Sequence, residues 1–167
     1  MKFRQPVACC IALLALVPNW LLAAVLAGQV VGVSDGDTLK VLDSEKKVHT
    51  IRLMGIDAPE KSQAFGQRSK QSLSSMTFEQ QVQVHWDKRD KYGRVVGQVQ
   101  TRSGADVCLM QIQRGMAWHY KQYSSEQTPA DRVRYSEAEA KARSDGVGLW
   151  RESSPMPPWE WRRSKKS

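Results

Sequence analysis

The chain is short of the groups that build disulfide scaffolds and zinc cages: it has three cysteines and three histidines in 167 residues. Cys9 and Cys10 lie in an N-terminal apolar run, so Cys108 is left alone in the remainder, and one thiol cannot close an internal disulfide. Its setting, A-D-V-C-L-M-Q-I, is apolar and helical, which predicts a small buried packing residue and not a nucleophile or ligand. His49, His85 and His119 are too widely separated to make a zinc-binding spacing. Internal repeats and a second domain are also missing. What remains must be held by one hydrophobic core, and about 140 residues suffice for that.

What is present begins with a leader. Lys2 and Arg4 precede an almost wholly apolar stretch, residues 7–27, that ends in A-A-V-L-A before Gly28. This predicts an export signal cut after Ala27, with Val25 and Ala27 as the small residues the peptidase requires, or alternatively after Ala24. The 21-residue run also matches the roughly 20 residues of a membrane span, although Pro18 and Asn19 in its middle count against one. No cysteine follows it for lipid attachment. The expected location is therefore periplasmic or secreted, with a membrane anchor through residues 7–27 as the alternative.

The whole chain carries a net charge of +8; without Lys2 and Arg4, 23 basic and 17 acidic residues leave +6. A basic surface attracts polyanions without regard to sequence, and suits nucleic acid or an anionic membrane face alike.

Residues 29–33 and 38–42 flank an S-D-G-D turn, and residues 48–54 follow the D-S-E-K-K turn, so the spacing predicts a three-stranded meander. Residues 65–76 place Phe65, Ser69, Leu73 and Met76 at helical spacing. Alternation around Val82, Val84 and Trp86, and again at Val95, Gly97 and Val99, predicts the fourth and fifth strands. A short helix over 107–114 should end at Gly115, and a longer one over 131–144, with Tyr135, Ala138 and Ala142 inward, should end near Gly146. Five strands with helices between the third and fourth and after the fifth fit an all-β core with helices: a five-stranded barrel of the oligonucleotide-binding type with three α-helices. The domains expected are a leader (1–27), the barrel (28–151) and a basic tail rich in Pro and Trp (152–167), read as extended or disordered. In that tail Arg162, Arg163, Lys165 and Lys166 stand beside Trp159 and Trp161, offering a contact with nucleic acid or an anionic surface.

Three turn-like segments carry the chemistry: D-G-D-T at residues 35–38, R-L-M-G-I-D-A-P-E at 52–60 and D-K-Y-G-R at 90–94. Singly each is an ordinary turn. Asp-Gly supplies the positive φ of a tight hairpin, Pro59 forces Ala58 to be extended, and the third is a polar loop. Jointly they converge. Asp37 opens the second strand, which runs antiparallel to the third, so it lies beside the third strand's end, where Asp57 and Glu60 follow. Arg52 shares a face with Met54 while Leu53 points the other way, so the arginine faces solvent or a cleft at the strand end. Carboxylates gathered at one point repel unless a cation or arginines offset them; such a group can hold a hard cation and activate water, while arginines grip phosphate.

These motifs, with R-G-M-A-W at 114–118 and the E-A-E-A-K and G-L-W stretches between 137 and 150, resemble the staphylococcal (micrococcal) nuclease family in order across nearly all of residues 28–150. The resemblance implies a five-stranded barrel with three helices, Ca²⁺ as cofactor, and cleavage of both DNA and RNA to products with a 3′-phosphate. It implies Asp37 and Asp57 as side-chain metal ligands, with the Ala58 carbonyl as a backbone ligand; Ala stands where family members often have Thr, and a carbonyl ligand does not depend on the side chain. Glu60 matches the general base that takes or orients the proton of the attacking water, and Arg52 and Arg94 match the phosphate clamps. Tyr92 matches a nucleotide contact, and a second is expected at Tyr123 or Tyr120, with Tyr123 favoured. Trp118 and Trp150 read as core or helix-docking residues, and His119 as a surface or hydrogen-bonded histidine. The chain is expected to act as a monomer without an obligate protein partner. The alternative function is a barrel that binds nucleic acid but has lost catalysis, which would have no need of Asp37, Asp57, Glu60, Arg52 and Arg94 together.

Overall fold

Strand alternation sets up the core. The structure, a computed structural model, describes residues 24–166. β1 (Ala24–Val33), β2 (Thr38–Leu42) and β3 (Val48–Leu53) form the expected meander, with Leu39, Val41, Ile51 and Leu53 turned inward and buried. A two-residue strand, β4 (Ile56–Asp57), leads to helix α1 (Gly66–Thr77). Then β5 (Gln81–Arg89) and β6 (Val95–Thr101) form a hairpin that brings Val82, Val84, Val95 and Val99 into the same core. β6 returns parallel to β3 and β5 pairs with β1, so the sheet closes in the order β1-β2-β3-β6-β5 with no free edge.

Helix α2 (Val107–Gln113) is capped by Asp106, whose side chain accepts the Leu109 N–H at 3.1 Å, and it ends at Gly115 with φ 63°. Val107, Cys108 and Ile112 are buried against the barrel, so Cys108 is a packing residue as expected; burial pushes its thiol pKa far above the ordinary value. β7 (Trp118–His119) pairs with β4, a second sheet too short to show in the sequence pattern. A 3-10 segment (Lys121–Glu126) precedes α3 (Pro129–Ser144), which opens on a Thr128 cap and buries Tyr135 and Ala142. Tyr135 donates to Asp106 at 2.9 Å, locking α3 to the start of α2.

Two expectations need correction. β1 begins at Ala24, because its first residues pair with β5 from Ala24↔Trp86 onward. Cleavage after Ala24 would keep most of that ladder, whereas cleavage after Ala27 would remove three more paired residues. The rest of the leader lies outside the described residues; among these, no helix is long and apolar enough to cross a membrane. Secondly, the tail is not extended: after a 3-10 turn (Gly148–Arg151) it forms a fourth helix, α4 (Pro158–Ser164), with proline in its first turn. Aromatic packing holds it. Trp159 meets the Trp118 ring edge-on at 5.6 Å and stacks on Tyr120 at 5.4 Å, while the Gln63 amide donates to the Met156 carbonyl at 2.6 Å. Trp118 and Trp150, 4.3 Å apart, form the buried base of that cluster.

Candidate active site

The first carboxylate is placed by backbone. Thr38 of β2 pairs with Arg52 of β3, so Asp37 lies at the outgoing end of β3, and its carbonyl accepts the Leu53 N–H at 2.8 Å. Its side chain points to the chain after β4: Oδ2 accepts the Ala58 N–H at 2.8 Å and Oδ1 the Thr38 hydroxyl at 3.0 Å. The turn before it is built from below by Gln111, wholly buried on α2, whose amide donates to the Gly36 carbonyl at 2.7 Å and to the Ser69 carbonyl at 3.2 Å. Gly36 is required by this packing and not by a positive φ, which corrects the sequence reading. A Cβ there would lie 1.8 Å from the Ser69 hydroxyl of α1.

Arg52 enters the cleft between the acids. Its Nη2 lies 3.0 Å from Asp57 Oδ1 and 3.2 Å from Asp37 Oδ2, and Nη1 donates to the Leu53 carbonyl at 2.9 Å. Glu60 follows on the loop, with its N–H held by Gln63 and its carboxylate half exposed. A residue expected only as part of a basic tail surface completes the group: Arg162 of α4 donates from Nη2 to Asp57 Oδ2 at 2.7 Å and from Nη1 to Glu60 Oε1 at 2.8 Å. Asp57 is thus bracketed by two guanidiniums.

Across the cleft, Arg94 lines the same 660 Å³ cavity as these residues. It is bound through Nε to Asp90 Oδ2 at 2.7 Å within the β5–β6 hairpin. Asp90 also accepts the Tyr92 and Arg94 N–H groups, so one aspartate folds the D-K-Y-G-R turn and aims its arginine. Burial would raise the Asp90 pKa, but these bonds outweigh it and hold it below the ordinary carboxylate value. Tyr92 is highly exposed at the rim. Tyr120 and Tyr123 line the cavity too, but Trp159 covers a face of Tyr120, whereas Tyr123 is about half exposed. His119 is buried and bonded to Gln127 at 2.9 Å, well placed for structure and not for chemistry.

Residues 50–152 match the family described as staphylococcal nuclease homologue. The chain is 41% identical over 156 residues to an uncharacterized endonuclease of Escherichia coli, covering 93% of this chain and 97% of the relative. It is 39% identical over 172 residues to a micrococcal nuclease of Shigella flexneri, covering 98% and 94%. This chain belongs to the staphylococcal nuclease family.

Within that family's barrel, burial dominates the electrostatics of this acid group. Burial, and then the neighbouring Asp37 carboxylate, push the pKa of Asp35 up to about 6. Burial also holds Asp57 above the ordinary range, although Arg162 and Arg52 both pull it down. Among the described residues no three His, Cys, Asp or Glu side chains form a ready metal cage. Asp37 and Asp57, both within reach of Arg52 Nη2, nevertheless bring hard carboxylate oxygens to one point, donors of the kind that suit a cation completing its shell with water and substrate oxygens. The residues present fit calcium in that sense.

Three contributors escaped sequence reasoning. Asp35 was legible only as half of a turn. Gln111 stands in an unremarkable helical run, and nothing in its spacing points to Gly36. Arg162 lies beyond the stretch matched to the staphylococcal nuclease family; its one signal was its place in a Trp-flanked basic cluster.

Proposed function

We propose that the protein is an exported, calcium-dependent nuclease that hydrolyses phosphodiester bonds in DNA and RNA and leaves a 3′-phosphate. The observation that carries this reading is the meeting of Asp37, Arg52 and Asp57 within hydrogen-bonding distance in a cleft that Glu60 and Arg94 also line. Family membership and the basic charge supply the nucleic-acid substrate; the N-terminal apolar run supports export.

Asp37, Asp57 and the Ala58 carbonyl would hold the calcium ion, which when bound supplies charge to the phosphate oxygens and acidity to nearby water. Glu60, half exposed at the cleft and bonded to Arg162 through Oε1, would orient a water with its carboxylate and accept its proton as the water oxygen bonds to phosphorus. As the P–O5′ bond breaks, the phosphate remains on the 3′ side and its equatorial oxygens carry growing negative charge. Arg52, fixed by Leu53 and two aspartates, already stands where that charge develops, so it stabilises it without reorganising. Arg94 lines the same cleft, with Asp90 holding its Nε edge. An arginine gives up a proton reluctantly, so its role is charge stabilisation and hydrogen bonding to the leaving oxygen. Tyr92 and Tyr123 offer exposed rings on which bases can stack.

The test is digestion of single-stranded DNA, duplex DNA and RNA with calcium and with chelator, followed by analysis of product ends, for the native protein, Glu60→Ala and Arg94→Ala. Loss of cleavage in chelator and in both variants, with 3′-phosphate ends in the native digest, is the expected result. Binding without cleavage in the native protein would favour the inactive binding module, and activity that persists in chelator would remove the calcium role.

A further inference from the structure

While Arg162 is seated, both oxygens of Asp57 are engaged by guanidiniums. Oδ2 accepts Arg162 Nη2 at 2.7 Å, and Oδ1 is shared by Arg52 Nη2 at 3.0 Å and Arg162 Nη1 at 3.3 Å. Asp37 is likewise engaged, through the Ala58 N–H, the Thr38 hydroxyl and Arg52. Asp57 already carries two guanidiniums, and a divalent cation added at contact distance to the same carboxylate would be strongly repelled by both, so its entry favours displacement of one of them. Arg52 is the fixed one, with its side chain 16% exposed and pinned to the Leu53 carbonyl. Arg162 is the exchangeable one, 41% exposed and held by its side-chain bonds to Asp57 and Glu60.

We propose that Arg162 is an internal counter-ion that competes with the divalent cation for Asp57 and thereby sets the cation affinity of the site. The inference rests on the calcium reading above. It needs no movement of α4 as a whole. Trp159 anchors the helix to Trp118 and Tyr120, and Gln63 holds the irregular segment before it through the Met156 carbonyl, so the guanidinium is presented to Asp57 at high local concentration. When displaced, its side chain has somewhere to go, because Arg162 lines both the main cleft and an adjoining groove bounded by Tyr120, Trp159 and Lys166. The cost of displacing it lowers the apparent affinity by the fraction of molecules in which Asp57 is free.

The experiment is calorimetric titration of Ca²⁺ into the native protein, Arg162→Ala, Arg162→Gln and Arg163→Ala, with thermal unfolding in chelator as a companion. Both Arg162 variants should bind Ca²⁺ about tenfold more tightly or better, Arg163→Ala should match the native protein, and the Arg162 variants should be less stable in chelator. Free guanidinium at a non-denaturing concentration, against matched sodium chloride, should return the affinity of the Arg162 variants toward native; a purely structural arginine would give no such effect. Equal or weaker Ca²⁺ binding in folded Arg162→Gln overturns the inference and leaves the calcium reading intact. Absence of Ca²⁺ binding in every protein overturns both.

Discussion

Two regions of the molecule deliver an arginine to the same aspartate. β3 delivers Arg52 from the closed barrel, with neighbouring strands on both sides and its side chain nearly enclosed. α4 delivers Arg162 from a seven-residue helix held by one aromatic cluster and one amide bond. Both lie within 3.0 Å of Asp57, yet they differ in permanence. The charge around Asp57 is thus built in two layers, one enclosed by the barrel and one more exposed on the last helix. In the proposed mechanism the barrel arginine serves catalysis because it cannot leave. The helix arginine can serve exchange because it can.

The sharpest way to break this contrast is Arg52→Ala. It should lower cleavage by about 10³-fold, and stability by roughly 3 kcal/mol, since Asp37 and Asp57 lose a buried partner; single-turnover rates and denaturant titration read both. A loss no larger than that of Arg162→Ala would erase the distinction. Next in size is Gln111→Leu, which leaves the Gly36 carbonyl without its amide donor and should cost about 2–3 kcal/mol, with weaker calcium binding as the Asp37 turn loosens. Trp159→Ala tests the anchor of α4. It should cost about 1–3 kcal/mol from lost packing and, by freeing the helix, should tighten Ca²⁺ binding in the same sense as loss of Arg162.

The smallest effect concerns Asp35, whose folded-state pKa is raised to about 6 from 3.8. The folded protein therefore binds more protons than the unfolded chain between those values, and stability in chelator falls as pH rises through that window. Asp35→Asn should remove this slope and stabilise the chelated protein at pH 7 by about 1 kcal/mol, a figure discounted for partial exposure. A pH profile of the unfolding midpoint that is unchanged by the substitution would show that Asp35 carries no such strain.

The strands of the barrel were legible in the sequence because β2, β3, β5 and β6 alternate and the residues at each turn announce the reversals; periodicity alone also allowed another small α+β arrangement, and the family resemblance favoured the barrel. The acid–arginine cluster was legible for the same reason. Once β2 is antiparallel to β3, the Thr38↔Arg52 register puts Asp37 beside the end of the strand that leads to Asp57. Less was visible where long-range contacts outweigh local pattern. The basic, proline-containing tail looks disordered by composition, but Trp159 finds two aromatic rings more than 35 residues away in sequence and the helix forms on them. Gly36 looks like a turn glycine, and its real constraint is the hydroxyl of a helix that follows later in the chain.

By itself, then, the sequence determined the five main strands, three of the helices, the family and the residue types gathered at the outgoing end of β3, since those follow from local periodicity and from motif spacing. Only the tertiary structure decided that Tyr120 is covered while Tyr123 is open, that Gln111 supports the Asp37 turn, and that Arg162 reaches Asp57 from 105 residues away. Such contacts depend on which surfaces are left over after the core has closed, and no local pattern in the chain encodes them.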